Sequence, residues 1–168
     1  MFLHFFAWRR WTETVDISAP IPTDRLFHEI LVPTTDTARY SSLLNLLVTH
    51  HVHVLFGGPT GTGKTVYIKD TLSRLDRAAW STIFSTFSAK TSANMAADVI
   101  DAKLDKRRKG VYGPPFGMKA VVFVDDLNMP SLEVYGAQPP VELLRQFMDH
   151  EVLGRVFGPC MRGARLIS

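Results

Sequence analysis

Two short stretches of this chain carry residue types that can handle phosphate. The first is GPTGTGKT, which fits the spacing G-x-x-x-x-G-K-[ST] in full. Its residues Gly58, Pro59, Thr60, Gly61, Thr62, Gly63, Lys64 and Thr65 form a candidate phosphate cradle. Glycines let the backbone curl until successive N–H groups point at phosphate oxygens. A helix starting there adds its partial positive charge. Lys64 brings a mobile point charge to the β- and γ-phosphates, and the Thr65 hydroxyl is a ligand for Mg²⁺. The second stretch is VVFVDDLNMP, from Val121 to Pro130, an apolar run that ends in Asp125 and Asp126.

A carboxylate at the tip of a buried strand, about 60 residues past such a loop, is the expected partner of the magnesium ion; this is the role read for Asp125. Asp126 is the candidate catalytic base, placed to orient and deprotonate an attacking water. Glutamate is common at that position, and aspartate is shorter by about 1.5 Å, one C–C bond. A misplacement of about 1 Å costs on the order of a hundredfold in rate. Secure binding with slow hydrolysis is therefore expected. The alternative role for Asp126 is a structural or sensing carboxylate. No N-K-x-D string follows, so adenine rather than guanine is the expected base.

The surrounding pattern supplies the elements that must hold these residues. A helix is predicted from an N-cap at Asp36 or Thr37, with Tyr40, Leu43, Leu44 and Leu47 on one face. His51 to Phe56 alternates and runs into Gly57 and Gly58, which predicts a strand before the loop. Ile68, Leu72 and Leu75 predict a helix after it. Ser81 to Phe87 predicts a second strand, and Ala93, Ala97, Ile100 and Leu104 an amphipathic helix. Lys106 to Lys109 reads as a solvated, basic helix end, and GVYGPPFG as a loop. Ala120 to Val124 predicts a strand buried on both faces of a parallel sheet, and Pro139 and Pro140 open a last helix. Alternating strands and helices predict an α/β fold with flanking helices.

Bulk properties narrow the function. The 168 residues suffice for one domain, and 46% hydrophobic with 21% charged residues is ordinary globular composition. A formal charge of +3 is no argument for nucleic acid, and the basic run at Lys103–Lys109 lacks aromatic interleaving. The lone cysteine excludes an internal disulfide and suits a reducing compartment such as the cytoplasm. No apolar run reaches the ~18 residues of a membrane span. The opening MFLHFFAWRR has its arginines after the apolar part, the wrong order for secretion.

Several long strings carry a resemblance. They are ILVPTTDTARY, GPTGTGKT, AKTSANMAADVIDAKLDKRRKGVYGPP, VVFVDDLNMP and YGAQPPVELLRQFMDH. Together, from about Trp8 to His150, they resemble the third AAA+ module of a dynein heavy chain, with the axonemal (ciliary) class closest in wording. The resemblance implies a P-loop NTPase core of the AAA+ type, one of six modules on a long chain that walks on microtubules. It implies ATP or ADP with Mg²⁺ as cofactors, and Val32, Pro33 and Thr34 as contacts to adenine. It implies a regulatory module, the first module doing most of the hydrolysis, and a P-loop ATPase in the intact motor, the isolated chain binding weakly or not turning over. A binding-only nucleotide clamp and a nonfunctional fragment are the alternatives. Implied partners are the neighbouring AAA+ modules, the intermediate and light chains and microtubules, with no membrane and no nucleic acid. The implied location is the cytoplasm and cytoskeleton, in the axoneme of a cilium.

The expected organisation is an extended arm over residues 1–29, with Pro20 and Pro22, a partial AAA+ core over 30–150, and a divergent tail over 151–168. Gly57 stands where the family often has an apolar residue. After His150 the family pattern stops. With the family's sheet order, 5-1-4-3-2, the fourth strand, which carries the γ-phosphate sensor, is missing, as are the fifth strand and the helical lid. The expected fold is therefore incomplete, with unpaired backbone groups on its inner strands. GARLIS, Gly163 to Ser168, could fill that gap, but the expectation is that the gap stays open. Arg155, Arg162 and Arg165 read as a solvated basic tail rather than arginine fingers.

Overall fold

The computed structural model describes residues 10–13, 30–108, 111–150 and 164–167. The arm predicted over 1–29 lies outside the described residues, apart from a single 3₁₀ turn at Trp11–Glu13. Four helices follow in chain order: α1 (Thr35–Thr49), α2 (Lys64–Ser73), α3 (Ala93–Asp101) and α4 (Pro139–His150). The strands are β1 (Trp80–Thr86), β2 (Asp105–Arg108), β3 (Val111–Gly113), β4 (Lys119–Asp125) and β5 (Ala164–Ile167).

β4 organises the core, as its composition predicts. Ala120 to Val124 are each at most 2% exposed. Side chains alternate across a strand, so the two faces take different neighbours. Ala120, Val122 and Val124 pack with Ile83, Ile100, Leu144 and Phe147 in the layer of α3 and α4. Val121 and Phe123 pack with Leu44, Val48, Ile68 and Leu72 in the layer of α1 and α2. The sheet is thus covered by helices on both faces, the arrangement that parallel strands require. β1 runs parallel to β4 in a register that pairs Trp80 with Lys119 and Thr86 with Asp125.

Four expectations are corrected. The edge of β4 opposite β1, where the family order puts the sensor strand, is not bare. β5 lies along it in parallel, from the pair Ala120–Ala164 to the pair Phe123–Ile167, so the sheet order is β1-β4-β5. The cost of leaving β4's backbone groups unpaired is the physical reason a short segment docks there; it includes Arg165, paired with Val121 rather than placed in a tail, while Arg155 and Arg162 lie outside the described residues. Among the described residues no helix follows α4.

The strand predicted over His51–Phe56 is reduced to a single bridge at Val54. His51 has a positive φ of 59°, and the Val52 N–H turns back to the Leu47 carbonyl at 2.9 Å. A ladder needs a partner along its length, and β5 has only four residues. Val54 and Phe56 nevertheless pack against the α1/α2 layer.

The basic run is not a helix end. α3 stops at Asp101, and β2 pairs antiparallel with β3, which forms inside the segment predicted as a loop. Finally, the cap of α1 is Thr34 rather than Asp36 or Thr37. Its side chain accepts from the Thr37 N–H at 3.1 Å, which starts the helix two residues early.

Candidate nucleotide site

The segment from Gly57 to Gly63 is exposed throughout and leads directly into α2. Gly61 and Gly63 have φ of 81° and 75°, the left-handed region that a side chain disfavours. Gly63 is also the N-cap of α2, so the curl of the loop and the start of the helix share one residue. Thr62 Oγ1 donates to the Pro59 carbonyl at 3.0 Å. The Lys64 ammonium donates to the carbonyls of Gly58 and Pro59 at 3.0 and 2.6 Å, and to Thr62 Oγ1 at 3.3 Å. Pro59 and Thr60 are exposed. The loop is held by its own lysine rather than by the core.

Opposite it, Asp125 ends β4. The Phe87 N–H donates to the Asp125 carbonyl at 2.9 Å, which anchors the strand tip to the end of β1. Thr65 Oγ1 donates to Asp125 Oδ1 at 2.9 Å across 60 residues of sequence. Thr65 and Asp125, the two predicted metal ligands, are therefore in contact. Asp126 follows with an exposed side chain and a φ of 56°. Its carbonyl accepts from the Met129 N–H at 3.0 Å. The turn beyond is braced by Gln138 Nε2, which donates to the Pro130 carbonyl at 2.6 Å, and by Ser131 Oγ, which donates to the Ala89 carbonyl at 2.7 Å.

Val32 and Pro33 are exposed, and the Thr34 side chain is engaged in capping α1. Among the described residues no hydrogen bond joins these three to the phosphate loop. Their link to it runs through helix packing: the rings of Tyr40 on α1 and Tyr67 on α2 stack at 5.7 Å, and Phe56 meets Tyr67 edge-on at 6.0 Å. Partial burial, reinforced by the neighbouring Tyr40, raises the Tyr67 pKa above the ordinary tyrosine value.

One site residue escaped the motifs. Lys69 Nζ lies 3.4 Å from Asp125 Oδ2. The available signal was its i+4 spacing from Thr65, which puts both on one face of α2. A shallow cleft lined by Ala93, Pro139, Glu142, Leu143, Arg145 and Gln146 contains none of these residues. The strand-tip chemistry makes the loop, not the cleft, the candidate site.

The donor set fits one kind of metal. Among the described residues no three His, Cys, Asp or Glu cluster to hold an ion by themselves. Thr65 and Asp125 offer two hard oxygens, which suits a small cation such as Mg²⁺ that keeps waters and takes phosphate oxygens.

Comparison with known sequences decides the family. Residues 19–153 match the family described as P-loop containing dynein motor region. The chain belongs to that family. It is 55% identical over 146 residues to human dynein axonemal heavy chain 1, covering 86% of this chain and 3% of that protein. It is 52% identical over 143 residues to rat dynein axonemal heavy chain 12, covering 84% of this chain and 5% of that protein. It is 51% identical over 144 residues to mouse dynein axonemal heavy chain 3, covering 85% of this chain and 4% of that protein. The chain thus spans only a small part of the dynein relatives it matches. Among its described residues no helix is long and apolar enough to cross a membrane.

Proposed function

We propose that this chain is an ATP- and ADP-binding AAA+ module of an axonemal dynein heavy chain, equivalent to the third module, with a regulatory site that hydrolyses slowly. The observation that carries the reading is the 2.9 Å hydrogen bond from Thr65 to Asp125. It joins the phosphate-loop helix to the acidic strand tip, as a shared metal site requires. Gly58 to Gly63 supply inward N–H groups, and Lys64 exchanges the carbonyls of Gly58 and Pro59 for phosphate oxygens. Thr65 and Asp125 hold the Mg²⁺, which neutralises charge on the phosphates when bound. Val32, Pro33 and Thr34 flank the adenine. Asp126 orients the attacking water and takes its proton on the carboxylate.

In the parent motor the module works beside its neighbouring AAA+ modules, with intermediate and light chains, on microtubules of the ciliary axoneme, a cytoskeletal location within the cytoplasm. A binding-only clamp is the second reading. It is favoured by the exposed side chain of Asp126, which makes no hydrogen bond among the described residues.

Nucleotide-dependent stabilisation tests the first step. A ligand held by the folded chain alone raises its apparent stability. ATP or ADP with Mg²⁺ is expected to raise the Tm of the 168-residue chain, and Lys64→Ala to abolish the rise. No rise in the unaltered chain would sink the nucleotide reading. Turnover is tested in the intact motor. With Asp126→Asn, hydrolysis at this site is expected to fall while nucleotide affinity holds; unchanged turnover removes Asp126 as the base, and no hydrolysis at this site in the unaltered motor, with nucleotide still bound, assigns the site to the clamp.

A further inference from the structure

Lys69 has no part in the phosphate-loop motif, yet it occupies half of the Asp125 carboxylate. Thr65 donates to Oδ1 at 2.9 Å, and the Lys69 ammonium lies 3.4 Å from Oδ2. Both arise from one face of α2, at spacing i, i+4. The lysine also lies over the ring of Phe123, 5.9 Å from its centroid. Phe123 is buried and precedes Asp125 by two residues on the same face of β4, so the lysine stem has a fixed bed. The two ends of the ion pair differ: the Asp125 side chain is 17% exposed, that of Lys69 45%. The carboxylate is held in place while the ammonium has open water beside it.

A divalent cation that binds through Asp125 meets this ammonium as a competitor. We propose that Lys69 is the standing counter-ion of Asp125, and that its displacement sets the magnesium concentration at which nucleotide binds tightly. The proposal rests on the nucleotide reading above and adds a residue to it. The ammonium is a compact, hydrated charge on a flexible stem, so it leaves readily for solvent. A guanidinium at the same place grips a carboxylate with two parallel hydrogen bonds and leaves less readily. Ligands competing for one group shift each other's midpoint by the strength of the interaction each must displace. For a partly exposed pair that shift is about five-fold.

The experiment titrates Mg²⁺ against a fluorescent adenosine diphosphate (mant-ADP) held at fixed concentration on the full chain, with parallel binding in EDTA. Lys69→Met and Lys69→Gln are expected to lower the magnesium midpoint by about five-fold, and Lys69→Arg to raise it by about two-fold. Affinity in EDTA changes less than the midpoint in all three. Shifts in opposite directions are not what a merely structural lysine produces. Without nucleotide, Mg²⁺ alone is expected to raise the Tm of Lys69→Met more than that of the unaltered chain. A midpoint in Lys69→Met equal to or above the unaltered one, with mant-ADP still bound, overturns the proposal alone. Failure of the unaltered chain to bind mant-ADP overturns the nucleotide reading and this proposal together.

Discussion

Asp125 stands at the end of five residues that are each at most 2% exposed, whereas the loop facing it, Gly57 to Gly63, is exposed along its whole length. The strand tip is placed by two helical layers and a ladder on each side of β4. The loop is placed by two left-handed glycines and the hydrogen bonds of Lys64 to its own carbonyls. Under the proposed function the difference separates two jobs. A carboxylate that must receive a cation is held rigid by the core, because burial of apolar area is cooperative and indifferent to the ligand. A loop that must close on phosphate is held by local hydrogen bonds, each worth about 1 kcal/mol net, which a ligand can exchange without disturbing the core.

The largest test strikes the strand. Phe123→Ala is expected to destabilise the fold by about 3–5 kcal/mol in urea unfolding, through reduced burial and the cavity left behind. If instead it cost no more than a change in the loop, the contrast would vanish. Lys64→Ala should do the reverse, weakening nucleotide about a hundredfold by calorimetry, equivalent to about 2.7 kcal/mol, while unfolding changes by about 1 kcal/mol, since the hydrogen bonds it removes are exposed. Asp125→Asn is expected to cost about tenfold in affinity with Mg²⁺ present and little in EDTA, since it removes an ionic metal ligand but keeps a polar side chain. Val54→Ala, in the half-packed segment before the loop, should cost about 1 kcal/mol, well below Phe123→Ala.

The smallest effect is one of pH. The folded state holds the Tyr67 proton more tightly than the unfolded chain, whose value is near 10.0. Its contribution is therefore complete below pH 10 and lost as pH rises through the raised folded value. Tyr67→Phe should flatten that alkaline decline in a stability–pH profile.

The sequence is most legible where one physical rule dominates. An unbroken apolar run on β4 has no other stable home than a covered sheet, and the glycine–lysine spacing of Gly58–Thr65 predicts the helix start that α2 makes at Lys64. It is least legible where pairing decides. Residues 51–56 alternate like a strand, yet a ladder needs a partner that the alternation does not encode. Lys106–Lys109 reads as a solvated helix end, but charged side chains also suit a short exposed hairpin. The ion pair of Lys69 and Asp125 spans 56 residues and exists only once α2 lies against β4. GARLIS is the right kind of segment for the gap beside β4, but four strand residues carry too little pattern to settle a register.

The backbone of Asp126, with φ at 56°, bears on why an aspartate stands there at all. Left-handed geometry is tolerated by Asp and Asn several-fold more readily than by most residues with a β-carbon. The abrupt reversal after β4 therefore selects for a short side chain before any hydrolytic demand is considered. Lengthening it to glutamate would extend the reach of the carboxyl group and at the same time strain the corner that holds it, so reach and backbone fit at this position trade against each other.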